Sequence, residues 1–216
     1  MTDPVSAIIF IVILLFSVIF HEVAHGIAAE RLGDPTARYA GRLTLNPIPH
    51  IDPIGSILLP LLLKLTGAPF LFGYAKPVPV DYRNLLNFKR DMAIVALAGP
   101  FTNLVLAALA GFTFRILPAS DKAQEMILLT VGLNLALMIF NLIPIPPLDG
   151  SKALASIFGF FSDELMNRFL ALERIGIIFV FLFMYLAVYT NILSIVFIPA
   201  VILFRLFTGV DISVVF

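Results

Sequence analysis

The apolar positions of this chain come in long unbroken runs rather than at amphipathic spacing, and these runs set its architecture. The first extends from Val5 to Ala29, and two more cover Asp91 to Ile116 and Glu125 to Ile143. Arg174 to Tyr189 and Ile192 to Phe207 form a closing pair, joined by a tight turn near Thr190 and Asn191. A helix needs ~20 apolar residues to cross a hydrocarbon core, so the pattern predicts an all-α membrane bundle of about five full spans.

The pattern breaks between the first two runs. A polar, proline-rich stretch from Glu30 to Ile54 leads into a shorter apolar piece, Gly55 to Phe72, interrupted by Pro60, Lys64, Gly67 and Pro69. Gly73 to Val80, reading GYAKPVPV, predicts a short extended, β-like stretch, because proline pushes its predecessor out of the helical region. A turn from Pro144 to Gly150 follows the third run, and a short helix is expected from Ser151. The reading is one domain over residues 1–216, with its core at about 5–158 and additional C-terminal helices at about 172–208. No basic residue precedes the first run, so a cleaved signal peptide is not expected.

Composition strengthens the membrane assignment. The chain is 60% hydrophobic and 13% charged, with mean hydropathy +1.03; soluble domains carry about 25% charged residues. Its 14 basic and 14 acidic residues cancel, which suggests no nucleic-acid partner. With no cysteine there are no disulfides and no thiolate metal ligands. With the N-terminus outside and Gly55 to Phe72 dipping in and returning, every Lys and Arg except Arg115 and Lys122 falls at the cytoplasmic face. That asymmetry follows the positive-inside rule. A full crossing by 55–72 would move the basic cluster from Lys76 to Arg90 outside, so the re-entrant course is preferred. Non-helical backbone at that depth must be buried in protein or line a wet cavity.

The candidate chemistry lies in the first run. His21, Glu22 and His25 form an HExxH pattern, which on a helix puts both imidazoles on one face within reach of one zinc ion. Glu22 projects beside them as a candidate base. Ionisable groups within an apolar span are costly and mark function by default. A site with two histidines wants a third ligand, usually a carboxylate or histidine. Asp149, in the turn after the third run, lies at similar depth; His50, Asp52 and Asp91 are the alternatives. Asn134 reads as polar glue between helices, and Glu173 with Arg174 as a solvated interfacial pair.

Asn141 to Gly150 reads NLIPIPPLDG and fits the NxxPxxPxDG motif that site-2 proteases pair with an HExxH helix. Ala98 to Asn103, AGPFTN, looks like the family's AGPxxN segment, and Gly73 to Val80 is similar to the GxAKPVPV stretch of prokaryotic members. The chain thus resembles the site-2 proteases over about residues 15–155, in four motifs in family order. The resemblance implies Zn2+ held by His21, His25 and Asp149, with Glu22 and Asn141 as catalytic residues. It raises Asn103, Gly73, Lys76 and Pro77 as residues that support the site or hold substrate.

The implied activity is zinc-dependent hydrolysis of peptide bonds within or near transmembrane segments of membrane-anchored substrates, in a prokaryotic plasma membrane with the site toward the cytoplasm. PDZ and CBS domains, carried by several members, are not expected in so short a chain. The rival readings are a metal-ion transporter, which would need polar groups continuing to both faces, and an inactive scaffold, which would normally lack Glu22 or a ligand.

Overall fold

The computed structural model describes residues 4–67, 73–117 and 120–211, and among them it is helical with no strand. Helix α1 (Pro4–Arg31) is predominantly apolar in its N-terminal half, where Val5, Ile8, Ile11 and Val12 stay exposed. Such a surface suits lipid rather than water. The helix ends where Gly33 takes a φ of 108° and the Asp34 N–H returns to the Ala29 carbonyl at 2.9 Å. A positive φ at that position costs glycine little, so it stops the helix cleanly.

The short helix α2 (Thr36–Tyr39), a π-helical turn (Pro53–Leu58) and α3 (Leu59–Leu65) fill the interval before α4 (Phe88–Ile116). Asp52 caps the π-helical turn through the Ile54 and Gly55 N–H groups. Residues 73–76 return beside this turn, with the Tyr74 N–H on the Gly55 carbonyl and the Lys76 N–H on the His50 carbonyl. The tip of the expected re-entrant piece, residues 68–72, lies outside the described residues. Residues 73–80 carry no helix and pair in no strand.

Helix α4 is the central element, packed on α1, on α5 (Asp121–Leu142) and on α6 (Asp149–Phe161). The rest of the chain is α7 (Asp163–Ala171), a 3-10 turn (Leu172–Ile175), α8 (Gly176–Tyr189), α9 (Ile192–Val196) and α10 (Ile198–Thr208). Two apolar clusters flank the middle of α4. One joins Ala107 to Leu128, Leu135 and Phe204; the other joins Val95 and Met92 to Ala29, Ala155 and Met166. The polar site lies between them.

Among the described residues four helical stretches are long and apolar enough to cross a membrane: Ile8–Arg31, Phe88–Ile116, Asp121–Leu142 and Asp163–Tyr189. The fifth run expected from the sequence, 192–207, is instead two short helices broken at Phe197, ahead of Pro199. Proline has no N–H to continue a helix from the preceding turn. Helix α10 has 11 residues, about 16 Å of helix against a core of about 30 Å. The break also redirects the chain. Arg115, at the far end of α4, donates to the Leu206 carbonyl at 2.5 Å. Arg205 therefore sits at the end of the bundle that carries Arg115, not at the end that carries the site, and the expected charge asymmetry loses one residue.

Glu173 also departs from the sequence reading. One of its carboxylate oxygens is buried without a hydrogen-bond partner, and it lies in electrostatic range of Lys152 and Tyr82 rather than pairing with Arg174.

Candidate active site

His21 and His25 stand one turn apart on the inner face of α1, both buried, in the half of the helix nearer Arg31. The opposing surface of α4 is Gly99, where a Cβ would fall 2.4 Å from His25 Nε2 and 2.6 Å from His21 Nε2. Only a residue without a side chain leaves room for two imidazoles there. Asp149 reaches the same point from the first turn of α6. The turn before it carries a cis bond between Pro146 and Pro147. Gly150 lets α6 start against the end of α5, since a Cβ at that position would lie 2.2 Å from the Leu142 carbonyl oxygen.

Three ligand atoms converge. His21 Nε2 lies 3.1 Å from His25 Nε2 and 3.1 Å from Asp149 Oδ2, and His25 Nε2 lies 3.3 Å from the same oxygen. Tetrahedral zinc with bonds of about 2.0–2.1 Å separates its ligands by roughly 3.3 Å, so the triangle is the size that zinc requires. The tautomers agree. His21 Nδ1 lies 2.6 Å from Asn103 Oδ1 and His25 Nδ1 lies 2.7 Å from the Val95 carbonyl oxygen. Each Nδ1 faces an acceptor and so carries the ring's proton, which leaves both Nε2 lone pairs directed at the common point. Among the described residues this is the group of acidic and histidine side chains that can hold a metal ion.

The partners of the two rings are themselves held. Asn103 donates to Asn134 Oδ1 at 2.9 Å, and Asn134 donates to Ser17 Oγ at 3.0 Å and to the Thr130 carbonyl at 2.9 Å. Asn134, read from sequence as polar glue, thus fixes the amide that orients His21. The Val95 carbonyl lies in the helical turn where Pro100 has no N–H to offer the Ala96 carbonyl.

Glu22, half-buried, lies beside the triangle on a cavity of about 490 Å3. Asn141, Pro77, Val78, Tyr82, Lys152, Ile177 and Val180 also line it. Asn141 donates to the Leu137 carbonyl of its own helix at 2.9 Å. Pro77 is on the wall, whereas Gly73 and Lys76 are not; Gly73 packs against Pro60, and Lys76 is fixed by its backbone. The rival ligands are engaged elsewhere. His50 is buried with Nε2 on the Thr44 carbonyl, Asp52 caps its turn, and Asp91 accepts from the Asn87 N–H and Arg90.

Sequence reasoning did not single out Gly99, Val95, Lys152, Tyr82 or the Val78 N–H. For Lys152 a signal existed, since it follows Asp149 by three residues and so shares its helix face.

A family model for peptidase family M50 matches residues 115–186, which include Asn141 to Gly150. The chain is 37% identical over 164 residues to the "Putative zinc metalloprotease YwhC" of Bacillus subtilis, covering 71% of each. It is 36% identical over 157 residues to the "Putative zinc metalloprotease Rip2" of Mycolicibacterium smegmatis, covering 70% of this chain and 59% of that one. It is 32% identical over 160 residues to the "Putative zinc metalloprotease MJ0611" of Methanocaldococcus jannaschii, covering 69% and 72%. No solved structure matches the chain.

Proposed function

The chain belongs to peptidase family M50, the site-2 proteases, and is a membrane-embedded zinc metalloprotease; on that premise we propose that it cuts peptide bonds within or beside the transmembrane segments of membrane-anchored proteins. In this reading His21, His25 and Asp149 hold one zinc ion. The observation that carries it is the triangle of their ligand atoms, 3.1 to 3.3 Å on a side.

Zinc, when bound, supplies a Lewis acid that activates water and polarises a carbonyl. The chain supplies the rest. Glu22 accepts the water's proton and delivers it to the leaving amine. Asn141, at the cavity wall, helps hold the substrate or its developing oxyanion. Asn103 and the Val95 carbonyl keep the imidazoles in the tautomer that binds metal. A substrate helix satisfies its own backbone, so it must unwind before a carbonyl reaches the site. Residues 73–80, read as an extended segment along the cavity, would receive that unwound stretch as an added strand, with Pro77 at the contact. The same reading keeps residues 55–72 re-entrant, puts the site toward the cytoplasm and the N-terminus outside, and is supported by the basic residues gathered at the site's end of the bundle.

The test is Glu22→Gln. This variant is expected to keep its zinc and to cleave no single-pass membrane substrate in detergent. Turnover at the normal rate would remove Glu22 as the base.

A further inference from the structure

We propose that the backbone N–H of Val78 is the positioning group for Glu22, holding one carboxylate oxygen so that the other faces the reacting water; this rests on the reading of Glu22 as general base. The Val78 N–H donates to Glu22 Oε2 at 2.7 Å. Its neighbours are Pro77 and Pro79, neither of which has an N–H. Val78 therefore carries the sole backbone donor of residues 77–79. The prolines also stiffen it, because Pro77 has a fixed φ and Pro79 disfavours helix at Val78.

The same residue is held a second time. Val78 is buried, and a Cβ at Gly26 would fall 2.8 Å from Val78 Cγ1. Glu22 and Gly26 are four residues apart and so occupy one stripe of α1. This stripe receives the Val78 N–H at one turn and its side chain at the next, while the neighbouring stripe of His21 and His25 faces Gly99.

The flanking chain is anchored on both sides. The Lys76 N–H is on the His50 carbonyl at 2.9 Å, Arg42 donates to the Lys76 carbonyl at 2.7 Å, and the Asp81 N–H is on Asp34 Oδ2 at 2.8 Å. The donor is thus fixed before substrate arrives. A glutamate side chain has several rotatable torsions, and without a fixed partner its carboxylate would wander among rotamers. A hydrogen bond to a charged acceptor is strong enough to select one.

The test replaces Val78 by α-hydroxyvaline through nonsense suppression in the full chain, which turns the Pro77–Val78 amide into an ester and so removes the N–H while every side chain is kept. Zinc content, kcat and KM on a single-pass substrate are then measured beside Glu22→Gln. The ester is expected to lower kcat about 10- to 100-fold, with zinc content and KM unchanged. An ester that turns over at the wild-type rate overturns the proposal, and so does one whose defect lies in KM or in lost zinc. Normal turnover by Glu22→Gln removes the base and the proposal with it; an inactive Glu22→Gln beside a fully active ester removes the proposal alone.

Discussion

His21 Nδ1 and Asn103 Oδ1 lie 2.6 Å apart in the bundle core, and this contact sets the direction of the ring's other nitrogen. Partners that hold a ligating histidine by its second nitrogen are worth about 10- to 100-fold in metal affinity. Asn103→Ala is expected to weaken zinc binding by that amount, measured by competition with a chelator. Asn134→Ala, which leaves the Asn103 amide only its 3.4 Å bond to the Ser17 carbonyl, is expected to weaken it in the same direction and by less.

Gly99 makes a different demand, for space. A methyl group there would stand 2.4 Å from His25 Nε2, too close for the ring to stay. Gly99→Ala is expected to lose zinc by more than about tenfold while its helical circular dichroism in detergent stays unchanged. Zinc binding equal to wild type would show that the rings can retreat without leaving the site.

Asp34 ties the end of α1 to the chain leaving the cavity. It accepts from the Asp81 N–H at 2.8 Å and from Asn84 Nδ2 at 2.9 Å, and it is fully buried. Burial raises its pKa, but the hydrogen bonds from Asn84, Thr36 and the Asp81 N–H outweigh it and hold the carboxyl below its ordinary value. A depressed carboxyl stabilises the fold above its unfolded pKa of about 3.9, and that contribution disappears as pH falls through the lower folded value. Asp34→Ala is therefore expected to cost about 1–3 kcal/mol at neutral pH. Its gap from wild type in thermal unfolding should close below about pH 4. A gap that widens on acidification would contradict the sign.

The site was readable in the sequence where it is written as local strings. His21, Glu22 and His25 share one helical turn, so spacing exposes them, whereas spacing left Asp149 beside other acids and Asn141 to Gly150 stood out only through its likeness to the site-2 protease motif. The long spans were readable because unbroken apolar runs have few alternatives. The break at Phe197 was not, since a single proline in an apolar run reads equally as a kink or a stop. Once the break is made, Arg205 goes to the opposite end. The backbone groups that hold the site, Val95 C=O and Val78 N–H, were invisible for a deeper reason: every residue carries such groups, and only tertiary packing selects these two. Glu173 was misjudged because an acid at a predicted helix end is normally solvated, whereas here α8 packs its first turn against the Pro146–Pro147 turn.

The most direct test of the account is the zinc content of purified protein, wild type against Asp149→Ala, measured on the samples used for cleavage of a single-pass substrate. The account predicts about one zinc per wild-type chain, with most of it lost from Asp149→Ala together with cleavage. Asp149→Ala that keeps a full complement of zinc and cleaves at the wild-type rate would contradict it.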